Sequence, residues 1–175
     1  MSDELIDGRL ESAEKKTEEL MAMMDSDLDP DADQFLSFFL DGAEYGIDIL
    51  RVQEIKCWDY ATEIPNSPSF VKGVINLRGT IVPVVDLRLR FGLEAVDYTI
   101  NTVVIVLRVE NDGNERTIGF IVDGVSEVYS VEKNLLQAQP ESHGDFDVSF
   151  IEGLFSNQEK MVVMLDVDKL ASINT

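Results

Sequence analysis

The chain has 175 residues, 45% of them hydrophobic, and sets 34 Asp and Glu against 14 Lys and Arg, a formal charge of −20 at pH 7. That length supports one ordinary domain or two very small ones, and the apolar share can bury roughly two thirds of the unfolded surface, so wholesale disorder is excluded. Charge this negative repels phosphate backbones and anionic lipid heads, which argues against nucleic-acid and peripheral-membrane roles and leaves proteins or cations as expected partners.

Residues 1–33 hold 12 acidic and three basic side chains, a denser charge than the 22 and 11 of residues 34–175. Within this tail Leu10, Ala13, Thr17, Leu20 and Met24 recur at spacings of three and four, and Asp7 is placed as an N-cap, so residues 8–24 form a candidate amphipathic helix. The stripe is thin, which favours a solvated helix over a docked one, and removal of the tail is expected to leave the fold intact. The run Asp25, Asp27, Asp29, Asp31, Asp33 imitates the start of a calcium loop, but position six is Pro30 instead of Gly and position twelve is Leu36 instead of Glu. A self-repelling linker fits the run better.

From Gln34 onward the chain breaks into short apolar or alternating runs rich in Val, Ile and Phe. They are Phe35 to Leu40, Glu44 to Ile49, Val52 to Trp58, Lys72 to Leu77, Ile81 to Val85, Thr102 to Val109, Arg116 to Val122, Val125 to Val131 and Met161 to Val167. These read as strands of an all-β sandwich or barrel. Asp41-Gly42, Asp112-Gly113 and Asp123-Gly124 are predicted to supply the positive φ angles of tight hairpins. Asp86 is placed to cap a single helical turn through Arg90, stopped at Gly92.

The sequence also repeats itself. Phe70 to Val74, Ile81-Val82 and Val85 to Leu87 superpose without a gap on Phe150 to Leu154, Met161-Val162 and Leu165 to Val167 at an offset of 80. Upstream, Gly46-Ile47, Ile49, Val52 and Glu54-Ile55 match Gly119-Phe120, Val122, Val125 and Glu127-Val128 at an offset of 73. The body therefore reads as two related modules, residues 34–92 and 101–170, followed by a short end at 171–175, with strands open to exchange between modules. Each module holds about five strands, too few for a broad sandwich but suited to a small barrel whose closure hides the sheet edges. Two such barrels pressed together are expected to leave a groove between them.

Enzymatic constellations are scarce, and no enzyme activity, cofactor or metal site is expected. One His and one Cys cannot assemble a tetrahedral zinc set, and the phosphate-loop, dinucleotide and nucleophile-elbow motifs are absent. His143 has Ser142, Asp145 and Asp147 nearby, but in a polar loop where water solvates them all. Cys57 cannot form an intramolecular disulfide, no apolar run approaches the roughly 18 residues of a spanning helix, and Met1 to Glu4 is acidic where a secretory signal is basic. The expected location is the cytoplasm.

Two charges interrupt apolar runs. Glu54 sits between Val52 and Ile55, and Arg78 lies in the turn Asn76-Leu77-Arg78-Gly79. Both fit solvated positions, and both fit the rim of a recognition surface, where Arg is enriched and apolar neighbours supply contact area. A small-ligand site between the barrels is a further open reading.

Glu44 to Leu50, Val52 to Ile55, Gly73 to Gly79, Ile81 to Leu87 and Val122 to Val128 closely resemble the CheW family of bacterial chemotaxis coupling proteins, in order, within a match from about Gln34 to Leu170. The resemblance implies two pseudo-repeated SH3-like five-stranded barrels. It also implies a cytoplasmic, non-enzymatic adaptor joining methyl-accepting chemotaxis receptors to the regulatory domain of a CheA-type histidine kinase. It places that adaptor in membrane-associated arrays, without direct membrane insertion, where alternating adaptor and kinase barrels are able to close into rings. By motif match, Val52, Glu54, Gly73, Arg78, Val103, Gly119, Val125 and Val128 correspond to positions where such proteins meet receptor or kinase. A receptor tip is expected in the groove near Val52, Val103 and Val128.

Overall fold

The computed structural model describes residues 15–22, 32–132, 137, 148–157 and 160–171. His143, the aspartates from Asp25 to Asp31, and Asp7, Leu10, Ala13 and Met24 of the expected helix lie outside them.

Strands β1 (Ala32–Leu40) and β2 (Ala43–Asp48) form a hairpin, and a 3₁₀ turn, Ile49–Arg51, leads into β3 (Val52–Cys57). Next come β4 (Val71–Leu77), β5 (Thr80–Asp86) and a one-turn helix, α2 (Leu87–Arg90). The second half repeats this with β6 (Val103–Asn111), β7 (Asn114–Val122), β8 (Gly124–Glu132), β9 (Ile151–Asn157), β10 (Lys160–Leu165) and α3 (Val167–Leu170). Residues 15–22 form a helix, α1.

Two five-stranded sheets result, half-barrel A in the order β8-β1-β2-β10-β9 and half-barrel B in the order β3-β6-β7-β5-β4. The orders map onto each other when each strand of one repeat is replaced by its counterpart in the other. Strands are exchanged: β1 and β2 join the last three strands of the second repeat, while β6 and β7 join the last three of the first. The half-barrels therefore do not coincide with the repeats at residues 34–92 and 101–170. The chain passes between sheets at Ile49–Arg51 and again at Asp123, whereas the loop around residues 92–101 connects strands of one sheet.

The expected hairpins at Asp41-Gly42 and Asp112-Gly113 form, with both residues of each pair at positive φ. Asp123-Gly124 does not make one, and neither residue is in the left-handed region. A crossing to the other sheet needs extended backbone there. Asp86 caps α2 by accepting from the amides of Arg88 and Leu89, and Asp166 caps α3 in the same way.

Burial on two faces explains why Val103 to Leu107 is apolar without alternation. Val103, Ile105, Leu107 and Val109 face a shared core, where they meet Leu36, Phe38 and Leu40 of β1, Phe120 of β7 and Leu165 of β10. Val104 and Val106 turn the other way, into a smaller core inside half-barrel B with Val84 and Ile121. Phe35, Val131, Phe155, Val162 and Met164 fill the corresponding space in half-barrel A. The shared core fills the space between the sheets at Val52 and Val103, where an open groove was expected.

Neither barrel closes by a hydrogen-bonded ladder among the described residues: β8 and β9 bound one sheet, β3 and β4 the other. Isolated bridges cover two of these edges, Thr62 on Val74 of β4 and Gln137 on Leu154 of β9. Among the described residues each half-barrel thus has a seam between its edge strands.

Helix α1 departs from the expected solvated tail. Leu20 is 4% exposed and belongs to the shared core, Met21 packs against that core, and Thr17 is buried. A thin stripe suffices because a single leucine enters an existing apolar cluster. Leu20→Ala is expected to cost about 2 kcal/mol, the low end for a buried leucine, read from the urea midpoint. An unchanged midpoint would show that the helix rests on the body without stabilising it.

Candidate functional site

The curl of half-barrel B brings its two edge strands together. Glu54 on β3 and Arg78 in the β4–β5 turn meet with Arg78 Nη2 3.4 Å from Glu54 Oε2. The arginine side chain is 79% exposed and the glutamate 17%. Glu54 Oε2 is itself shut off from solvent and makes no hydrogen bond among the described residues, so this contact is one of charge without hydrogen-bond geometry. Arg78 adopts φ +51°, followed by Gly79 at +87°, and the Gly79 amide donates to the Asn76 side chain. This left-handed turn throws the guanidinium outward across the seam.

Further along the same seam lies a cleft of about 250 Å³, lined by Lys56, Cys57 and Trp58 on one side and Val74, Ile75 and Asn76 on the other, with Val104 and Tyr60 completing it. Tyr60 and Ile64 in the adjoining loop are exposed. A second cleft of about 310 Å³ lies in half-barrel A and is lined by Asp33, Asp48 and Glu152 with Phe35, Gly153 and Met164. Burial first, then the charges of Asp166 and Asp48, raise the pKa of Glu152. Both clefts belong to a single sheet each. Among the described residues no three His, Cys, Asp or Glu are grouped to hold a metal, and no helix is long and apolar enough to cross a membrane.

The remaining candidates are placed differently. Val103 is 1% exposed, and Val52 and Val125 are also buried in the shared core, so a partner does not reach their side chains in this structure. Gly119 is buried where β7 runs parallel to β5, and a Cβ there would lie 2.8 Å from Val104 Cγ1. Gly73 is buried at φ +140°, and a Cβ would lie 2.1 Å from the Thr62 carbonyl oxygen. Thr62 crosses that spot to exchange two backbone hydrogen bonds with Val74, 2.9 and 2.8 Å long. These five positions face packing, three through buried valine side chains and two because close neighbours leave no room for a side chain. Val128 is half-buried at the margin of the shared core. Of the eight candidates, Arg78, Glu54 and Val128 are thus the ones that are not buried.

Both crossings between sheets are pinned, a feature with no signal in the sequence pattern. At the second, Arg88 of α2 grips Asp123 through two hydrogen bonds of 2.8 Å, and Asp123 also accepts from the Asp41 amide. Burial pushes the Asp123 carboxyl up, but the Arg88 hydrogen bond, the Asp41 amide and the arginine's charge outweigh it and hold the pKa below the usual range. At the first crossing Arg51 contacts Asp168 of α3 at 2.9 and 3.3 Å. The helical turns are repeat mates, yet the cation sits on the turn in one pair and on the crossing in the other.

Two half-barrels that exchange strands around a shared core, with a charged seam at the surface, define a paired small-barrel domain. A family model described as "CheW-like domain" matches residues 34–174. Over 139 residues the chain is 47% identical to the chemotaxis protein CheW of Klebsiella aerogenes, covering 79% of this chain and 81% of that one. It is 34% identical to the chemotaxis protein CheW of Rhizobium meliloti, with 78% and 86% covered. The crystal structure of the scaffolding protein TtCheW from Thermoanaerobacter tengcongensis superposes with a TM-score of 0.74 at 32% identity, covering 82% of this chain and 94% of that one. The chain belongs to the CheW family.

Proposed function

We propose that this protein is a non-enzymatic adaptor that couples the cytoplasmic tips of methyl-accepting chemotaxis receptors to the regulatory domain of a CheA-type histidine kinase. The observation that carries this reading is the family match across residues 34–174, which spans both half-barrels and the seam. The protein works in the cytoplasm and reaches membrane-associated arrays through its protein partners, because a chain of charge −20 is repelled by anionic lipid. Arg78, Glu54 and Val128 form contact surface, while Val52, Gly73, Val103, Gly119 and Val125 hold its backbone in place. A receptor signal reaches the kinase only as a difference in contact free energy between receptor states. Adaptor and kinase barrels joined head to tail repeat until rotation closes a ring.

Reconstitution tests the adaptor reading: a receptor signalling fragment, the kinase and this protein are combined, and capture on the receptor and kinase activity are followed. Kinase retained on the receptor only when the protein is present supports it, and indifference of both readouts to the protein refutes it. Within that assay, Arg78→Ala is expected to leave the urea midpoint nearly unchanged and to weaken assembly about tenfold, or about 1.4 kcal/mol, as for an exposed arginine near an interface centre. Easy unfolding with normal binding once folded would make Arg78 a structural residue instead.

A further inference from the structure

Strand β8 carries a bulge. Val128 pairs with Leu36 and Val125 with Phe38, so Ser126 and Glu127 together face the single residue Ser37. A bulge takes backbone groups out of the ladder and leaves them to find other partners. Here the Ser37 hydroxyl takes them: it accepts from the Glu127 amide at 3.1 Å and lies 2.9 Å from the Glu127 carbonyl oxygen. The same hydroxyl lies 3.0 Å from Glu44 Oε1, which also accepts from the Tyr129 hydroxyl at 2.9 Å. Glu44 is only 7% exposed, and Ser37 is fully buried. A serine has one proton to donate, so the Glu44 carboxylate and the Glu127 carbonyl share it.

The other repeat has the same bulge without the clamp. Glu54 on β3 faces Val106, with Gln53 the extra residue. Ser37 pairs with Gly46 as Val106 pairs with Gly119, so Ser37 and Val106 are repeat mates. Valine makes no hydrogen bond. One bulge is held from inside by a buried carboxylate and two hydroxyls, while its mate lies over packed methyl groups.

We propose that Ser37 and Glu44 are positioning residues, which fix the β8 bulge and so set the direction in which Val128 and the exposed Glu127 face a protein partner. This rests on the adaptor reading for the identity of that partner. Within a barrel interior such a network favours one backbone arrangement over its neighbours because every alternative leaves a buried polar group without a partner.

The test compares Ser37→Ala, Ser37→Thr and Glu44→Gln with the unaltered protein. Amide hydrogen exchange at Glu127 and Val128 is measured, along with binding to a receptor signalling fragment and, separately, to the kinase regulatory domain. Ser37→Ala is expected to speed exchange of the Glu127 amide about tenfold and to weaken one of the two partners several-fold, with a smaller effect on the other. Ser37→Thr, which keeps the hydroxyl, is expected to restore both, and Glu44→Gln, which keeps an acceptor oxygen, to fall between. Arg78→Ala serves as the control that weakens assembly without changing the exchange. Unchanged exchange in Ser37→Ala, or faster exchange with both affinities intact, overturns the inference. Failure of the unaltered protein to bind either partner overturns the adaptor reading and the partner-facing role with it.

Discussion

Gly73→Ala is expected to destabilise the domain by about 3–5 kcal/mol, the range reserved for a side chain that finds backbone in its place. The added Cβ would sit 2.1 Å from the Thr62 carbonyl oxygen and 2.6 Å from its carbon, so the loop would have to leave the β4 edge. Both Thr62–Val74 hydrogen bonds would go with it. The positive φ adds strain, and Gly79→Ala isolates that part, since Gly79 has φ +87° with nothing within 4 Å of its Cβ position. Strain alone is expected to cost about 1–2 kcal/mol. Urea midpoints of the two variants decide: if Gly73→Ala is no worse than Gly79→Ala, the crossing of Thr62 is not what requires glycine. If Gly73→Ala is the worse of the two, its loss of partner binding reports a displaced seam and not a missing contact.

Val52→Asp should have an effect of the same order by another route. Val52 lies opposite Leu107 at the start of β3, with its side chain in the shared core. A carboxylate there is desolvated without a fitted partner, and about 3–5 kcal/mol is expected to be lost. Val128→Asp, at the margin of the same core, can keep its charge wet and is expected to cost about 1 kcal/mol. Its effect should appear in titrations with the receptor fragment or the kinase regulatory domain. Matching collapse of both midpoints would remove Val128 from the contact surface; an intact midpoint for Val52→Asp would mean that the strand gives way to admit solvent.

Elements that depend on near neighbours were legible in the chain itself. Asp41-Gly42 and Asp112-Gly113 announced hairpins because only a few residues accept two successive positive φ angles. Asp86 announced its helical turn because its carboxylate caps the next amides. The offsets of 73 and 80 revealed the duplication. Strand partners were not readable, since repeat mates are similar enough that β1 could pair within its own module or with the other without changing the pattern. β9 escaped the list of apolar runs because Ile151 to Asn157 includes Glu152, Gly153 and Ser156, and only its likeness to β4 indicated it. Asp123-Gly124 was misread because its task is set by Arg88, 35 residues upstream.

For the candidate site, Glu54 and Arg78 were recognisable as charges out of place, but their meeting depends on how far a sheet curls. Gly73 and Gly119 were recognisable as glycines of consequence, and only close backbone approach explains which consequence. The Glu44 network gave no signal, because a glutamate two residues beyond a hairpin turn reads as a solvent-facing position.

The two crossings divide the chain unevenly in time as well as in space. Half-barrel B is continuous, from Val52 to Val122, whereas half-barrel A needs β1 and β2 from one end and β8 to β10 from the other. During synthesis from the N-terminus, B has all its strands once β7 emerges, but the β1–β2 hairpin must wait for more than 40 further residues before β10 can dock beside β2. The β1 edge gains its partner early, when β8 emerges, but throughout that interval the β2 edge is open to strands of other nascent chains.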